Sequence, residues 1–186
     1  MESQEVKKKR RGLPVKIIAY SAVFVALSVV TNIFTVHLGV SASNALSFTY
    51  TVCFLGGALL GPLPGFIIGA CGDVLGYLIM PSGGAFNPFI SLVSGGIGLI
   101  SGLVYLAAKR MGKGDKDILL TVVSFLLILL VCTNLNTVAL YFYMFSGKYT
   151  FWAYYVIRTP RQILFWALNL VLSLLLIKPL RKLLKM

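Results

Sequence analysis

Long apolar stretches alternate along this chain with short polar or Gly- and Pro-rich breaks. Six of them read as membrane spans, at 15–35, 45–61, 65–80, 89–108, 118–140 and 160–177, close to the roughly 20 residues a helix needs to cross a hydrocarbon core of about 30 Å. The breaks carry the punctuation that stops helices: a polar stretch from His37 to Asn44, a tight turn at Gly61-Pro62-Leu63-Pro64, and the outer loop from Pro81 to Pro88. A basic loop at 109–117 and an aromatic-rich stretch at 141–157 complete them. The pattern predicts an all-α polytopic membrane protein of six transmembrane helices. One domain covers 15–178, between basic tails at 1–14 and 179–186.

Composition strengthens this picture. Hydrophobic residues make up 58% of the 186 positions and charged residues 12%, against about 45–50% apolar in ordinary soluble domains. The mean hydropathy is +0.90 and the mass 20.3 kDa, so six spans leave no room for an appended ATPase. The formal charge is +12, which in a soluble chain would point to nucleic acid, but its placement points to topology. Fourteen of the 17 cations lie at Lys7–Arg11 with Lys16, at Lys109, Arg110, Lys113 and Lys116, and at Lys178, Arg181, Lys182 and Lys185. The positive-inside rule places both termini and the central loop in the cytoplasm, and six crossings agree. The basic start resembles a signal peptide, but its apolar run is as long as a span and no small-residue cleavage pattern follows. Cys53, Cys71 and Cys132 stand singly in apolar segments and read as small core residues.

Charge inside a bilayer is costly, so intramembrane ionisable residues are functional candidates. Asp73 is the one acid within an expected span, and Arg158 and Arg161 lie toward the outer side, where cations are disfavoured. Asp73 could pair with either arginine and staple two spans. Alternatively, these groups line a pocket open to the outside, with the carboxylate accepting from a donor-rich ligand and an arginine meeting a ligand anion. Asn134 and Asn136 add amides at depth. Around them stand Tyr77, Phe86, Tyr141, Trp152, Tyr154 and other rings, some of them interfacial belt, others suited to stack on a flat heteroaromatic ligand. His37 reads as an interfacial loop residue. There is no P-loop, no paired-carboxylate or His-Glu-x-x-His cluster, and one His cannot build a zinc site. The chain is expected to be no enzyme and to hold neither cofactor nor metal.

Small residues recur at four-residue steps, at Gly57, Gly61, Gly65 and Gly69, at Gly72 and Gly76, and at Gly98 and Gly102, a spacing that lets helices approach closely in lipid. Ala22 and Ala26, with Ala19 nearby, form a further pair in the first span. The stretches Gly61–Gly76, Met80–Phe89, Leu135-Asn136-Thr137 and Arg158-Thr159-Pro160-Arg161, together with Ala22–Ala26, resemble the substrate-binding S components of energy-coupling factor (ECF) vitamin transporters, most closely the folate branch. The resemblance implies a subunit of a bacterial cytoplasmic membrane that binds folate from outside and topples to deliver it. It also implies assembly with a membrane coupling protein (EcfT) and two cytoplasmic ATPases, docked through Ala19, Ala22 and Ala26. Asp73, helped by Asn134 or Asn136, would accept the pterin edge, and Arg158 and Arg161 would meet the glutamate carboxylates. Tyr77, Phe86, Trp152 and Tyr154 would stack, and Asn87 would make a loop contact over the pocket. Riboflavin and thiamin, flat but lacking carboxylates, are alternatives within the class, and a purely structural membrane protein is the alternative outside it.

Overall fold

A computed structural model describes residues 14–34, 36–37, 45–81, 86–112, 116–145 and 150–184. The order is α1 (Val15–Ile33), β1 (Val36–His37), β2 (Ala45–Leu46), α2 (Thr49–Leu60), α3 (Pro62–Ile79), α4 (Pro88–Arg110), α5 (Asp117–Ile128), α6 (Asn134–Leu140) and α7 (Phe151–Leu183). Turns of π-helix at Leu129–Thr133 and Tyr141–Phe145 continue α5 and α6 into one crossing. Five helical segments, α1, α3, α4, Asp117–Tyr143 and α7, are long and apolar enough to span a membrane, and α2 is a shorter apolar helix. The chain is an all-α polytopic membrane protein, with one small departure: β1 and β2 pair antiparallel, Val36 opposite Leu46 and His37 opposite Ala45.

Three boundaries differ from the sequence reading, each for a local reason. The second span, expected from 45, is helical only over Thr49–Leu60, because Ala45 and Leu46 are spent on strand pairing. Its 12 residues rise about 18 Å. The third starts at Pro62 rather than 65. Gly61 takes φ +106°, a conformation a side chain would resist, and reverses the chain in one residue so that Pro62 occupies the first helical position, where its missing N–H costs nothing. The last helix starts at Phe151, runs through Pro160 and Pro179, and reaches Leu183, beyond both the expected start at 160 and the domain edge at 178. Proline is more readily accommodated inside membrane helices than in soluble ones, and beside Pro160 the Thr159 hydroxyl donates back to the Tyr155 carbonyl at 2.7 Å.

The glycine stripe sets the packing of α2, α3 and α4. A Cβ on Gly57 would strike the Gly98 carbonyl and Ser101 Oγ, and one on Gly65 would lie 2.5 Å from Gly57 Cα. These backbones therefore touch without intervening side chains, the arrangement by which helices associate in lipid. Phe54, Phe125 and Ile128 fill the core beside them, with Phe54 and Phe125 rings 4.9 Å apart. Across the bundle, Asn169 of α7 is wholly satisfied: Oδ1 accepts from Thr51 N (3.2 Å) and Thr51 Oγ1 (2.8 Å), and Nδ2 donates to the Ser47 (3.1 Å) and Phe165 (2.9 Å) carbonyls. Unmet, such a buried amide would be penalised. At the basic end Arg181 pairs with Asp117 at 2.7 Å, tying α7 to the start of α5. Cys53 and Cys132 are buried as expected, whereas Cys71 is exposed on the apolar surface, and all three are free.

Candidate functional site

Asp73 sits on α3 where the glycine stripe lets two neighbours come close. A Cβ on Gly69 would strike the Ser94 carbonyl of α4, and one on Gly76 would lie 2.8 Å from Asn32 Nδ2 of α1. That double approach brings donors to the carboxylate from both sides: Ser91 Oγ donates to Oδ2 at 2.6 Å and Asn32 Nδ2 to Oδ1 at 3.4 Å, with the Ser94 hydroxyl adjoining. No arginine is part of this cluster, so an Asp–Arg staple between spans is not what holds Asp73. All three neighbours are neutral, and the carboxylate stays half-buried and able to accept further hydrogen bonds.

Arg158 occupies a second polar cluster. It is only 4% exposed, about two turns into α7. Its Nη1 donates to Tyr154 Oη at 2.8 Å, and its Cζ lies 5.8 Å from the centre of that ring. With the Gln162 amide turned so that its oxygen faces the guanidinium, it accepts from Nη2 and Nε at 3.0 and 3.1 Å. These three bonds leave two of the five guanidinium N–H groups without partners among the described residues. The described acids are Asp73 and Asp117, and both are engaged elsewhere. Arg158 is thus a buried cation with no protein anion beside it among the described residues.

Tyr50 of α2, which the sequence reading passed over, extends the Arg158 cluster: its hydroxyl faces Asn136 and Thr133 and lies within the field of Arg158. Asn136 Oδ1 is buried and accepts from no donor among the described residues. Asn134 is spent on structure, Nδ2 donating to the Leu130 carbonyl at 2.8 Å within the π-turn and Oδ1 accepting from Tyr155 Oη at 2.7 Å. Tyr154 is buried against Tyr141, centroids 6.0 Å apart. Tyr77 stacks obliquely on Phe86 at 5.3 Å, one turn beyond Asp73.

The remaining candidates fall elsewhere. Asn87 caps α4, its Oδ1 accepting from Phe89 N at 3.0 Å. Trp152 is 70% exposed and packs edge-on to Phe151 and Tyr155, a placement that suits an interfacial indole better than a buried stack. Arg161, one turn from Arg158, is exposed. Ala19, Ala22 and Ala26 all lie on the exposed face of α1. Asn32, Ser91 and Tyr50 were missed because a lone polar residue in a span carries no pattern of its own; their signal was polarity at depth, the same that singled out Asn134 and Asn136.

The comparisons agree with this architecture. The family model for the ECF-type riboflavin transporter, S component, matches residues 12–182. A solved structure, described as FolT bound with folic acid, superposes with a TM-score of 0.62 over 90% of this chain and 97% of that one, at 24% identity, a level that speaks for the fold. A search of curated proteins returned no match. A bundle of apolar crossings with polar clusters at depth, matched over nearly its whole length by one family, leaves a single assignment: the chain belongs to the family described as ECF-type riboflavin transporter, S component, whose members are membrane subunits that bind a vitamin for transport.

Proposed function

We propose that the vitamin is folate, taken up from outside and delivered by toppling of the subunit, with ATP hydrolysed by two cytoplasmic ATPases coupled through the membrane protein EcfT in a bacterial cytoplasmic membrane. The observation that carries this reading is Arg158. A guanidinium that is 4% exposed inside a span, with no described carboxylate beside it, is complete only when an anion arrives, and its two spare N–H groups suit a carboxylate. Folate brings two carboxylates on its glutamate, whereas free riboflavin brings none. At the other cluster, Asp73 offers a carboxylate to the amino and ring N–H groups of a pterin. Tyr77 and Phe86 stand beside it for stacking, and Asn136 Oδ1 is an acceptor in reserve near Arg158. The exposed Ala19, Ala22 and Ala26 give α1 a smooth surface for the coupling protein. That FolT, similar in fold, was solved with folic acid is in keeping with this reading.

The family's description favours riboflavin instead, and one experiment separates them. The chain is purified in detergent, any co-purified molecule is extracted with acid and identified by mass spectrometry, and the ligand-free protein is titrated calorimetrically with folate, riboflavin and thiamin. Near-stoichiometric folate and saturable heat with folate alone are expected. Riboflavin in the extract, or heat with riboflavin and none with folate, overturns the folate assignment and leaves the family assignment intact.

A further inference from the structure

The basic end of the bundle carries a feature that vitamin binding does not use. An open cleft of about 420 Å³ lies between the start of α5 and α7, lined by Lys116, Asp117, Ile118, Leu119, Val122 and Lys178, a size within the range of small-ligand sites, about 300–1,000 Å³. Its two lysines are exposed, and neither belongs to an ion pair among the described residues. The acid in its wall is already neutralised, since Asp117 pairs with Arg181 at 2.7 Å, and Arg181 is itself held over the Tyr105 ring at 5.7 Å. Beside the cations the wall turns apolar, with Ile118 60% and Leu119 56% exposed.

We propose that this cleft binds an anionic phospholipid of the cytoplasmic leaflet, its phosphate between Lys116 and Lys178 and an acyl chain along Ile118, Leu119 and Val122. Charge complementarity selects the occupant. The cleft is cationic once its acid is paired, it opens at the end that the positive-inside rule places in the cytoplasm, and basic pockets between helices on that side suit lipid phosphates. A soluble anion would satisfy the lysines but leave the apolar wall bare, whereas a phospholipid covers both. The lipid would bridge α5 and α7 at the end where, among the described residues, the Arg181–Asp117 pair ties them.

Native mass spectrometry of the full chain, released from micelles containing phosphatidylglycerol or phosphatidylcholine, tests this. The wild-type chain should retain phosphatidylglycerol over phosphatidylcholine. The double variant Lys116→Gln with Lys178→Gln should lose roughly thirty-fold in retention, at about five-fold per lysine. The control Lys109→Gln with Arg110→Gln, at the same end but outside the cleft, should leave retention unchanged. If the double variant does not yield folded protein, each single variant carries the test at its five-fold share. Equal retention of the two lipids, an equal loss in the control, or displacement of phosphatidylglycerol by inorganic phosphate would each overturn the assignment, the last pointing to a soluble-anion site.

Discussion

The two halves of the bundle solve opposite problems. In the α2–α3–α4 half the chain removes side chains until backbones meet, so that Gly57, Gly65, Gly98 and Gly102 all face backbone atoms where a Cβ would have to go. In the α6–α7 half it inserts what lipid least tolerates, a buried guanidinium, amides at depth, two π-turns and two prolines within a helix. The contrast teaches a division of labour. Close-packed glycine helices resist rearrangement and can hold Asp73 at a fixed place, while the irregular half exposes polar atoms inward only because the first half fixes the frame around them.

The hardest blow to that frame should come from Gly57→Ala, whose methyl would collide with the Gly98 carbonyl and Ser101 Oγ. It is expected to cost more than the roughly 1–3 kcal/mol of ordinary overpacking, seen as loss of monodisperse protein in size-exclusion chromatography. Gly96→Ala, whose nearest neighbour would be Cys132 Sγ at 3.3 Å, should change thermal unfolding by no more than about 1 kcal/mol in either direction. If both behave alike, the rigid-frame half of the comparison fails.

Within the irregular half, Arg158→Met should leave a folded chain, since it removes a buried cation rather than a packing element, yet lower folate affinity by about 100-fold or more in calorimetry. Unchanged affinity would make Arg158 structural. Asp73→Asn keeps the shape that Ser91 and Asn32 recognise and removes the charge, so affinity should fall about ten- to hundred-fold, in proportion to hydrogen bonds made to a charged group, while the unfolding temperature barely moves. The mildest change is Tyr155→Phe, which takes one donor from Asn134 Oδ1 and should cost about 0.5–1.5 kcal/mol in thermal unfolding with little effect on binding.

Apolar runs marked the crossings well because the bilayer demands length and continuity, and the glycine spacing was legible because small residues at four-residue steps have one principal use in lipid. Boundaries were lost where two uses of a residue compete. Pro160 reads as a helix start in sequence, but α7 begins at Phe151 and runs through it, which moved Tyr154 out of the aromatic stretch and placed it with Arg158 on one helix. The site was half legible: Asp73 and Arg158 stand out by cost alone, but which donors meet them depends on helix contacts that only glycine packing in three dimensions decides. Hence Asn32 and Ser91 surround Asp73, and Tyr50 joins the cluster near Arg158, while Trp152 faces outward.

The Asn169 amide ties distant parts of the chain together. One of its bonds stays within α7, to the Phe165 carbonyl, but the others reach back 118 residues to Thr51 and 122 to Ser47. The Thr51 N–H also donates to the Phe48 carbonyl at 3.0 Å, but among the described residues the Thr51 hydroxyl finds its partners only on α7, at Asn169. The first and last thirds of the chain are thus latched to each other at depth by a neutral amide, so that a chain ending before residue 169 would lack the latch between α2 and α7.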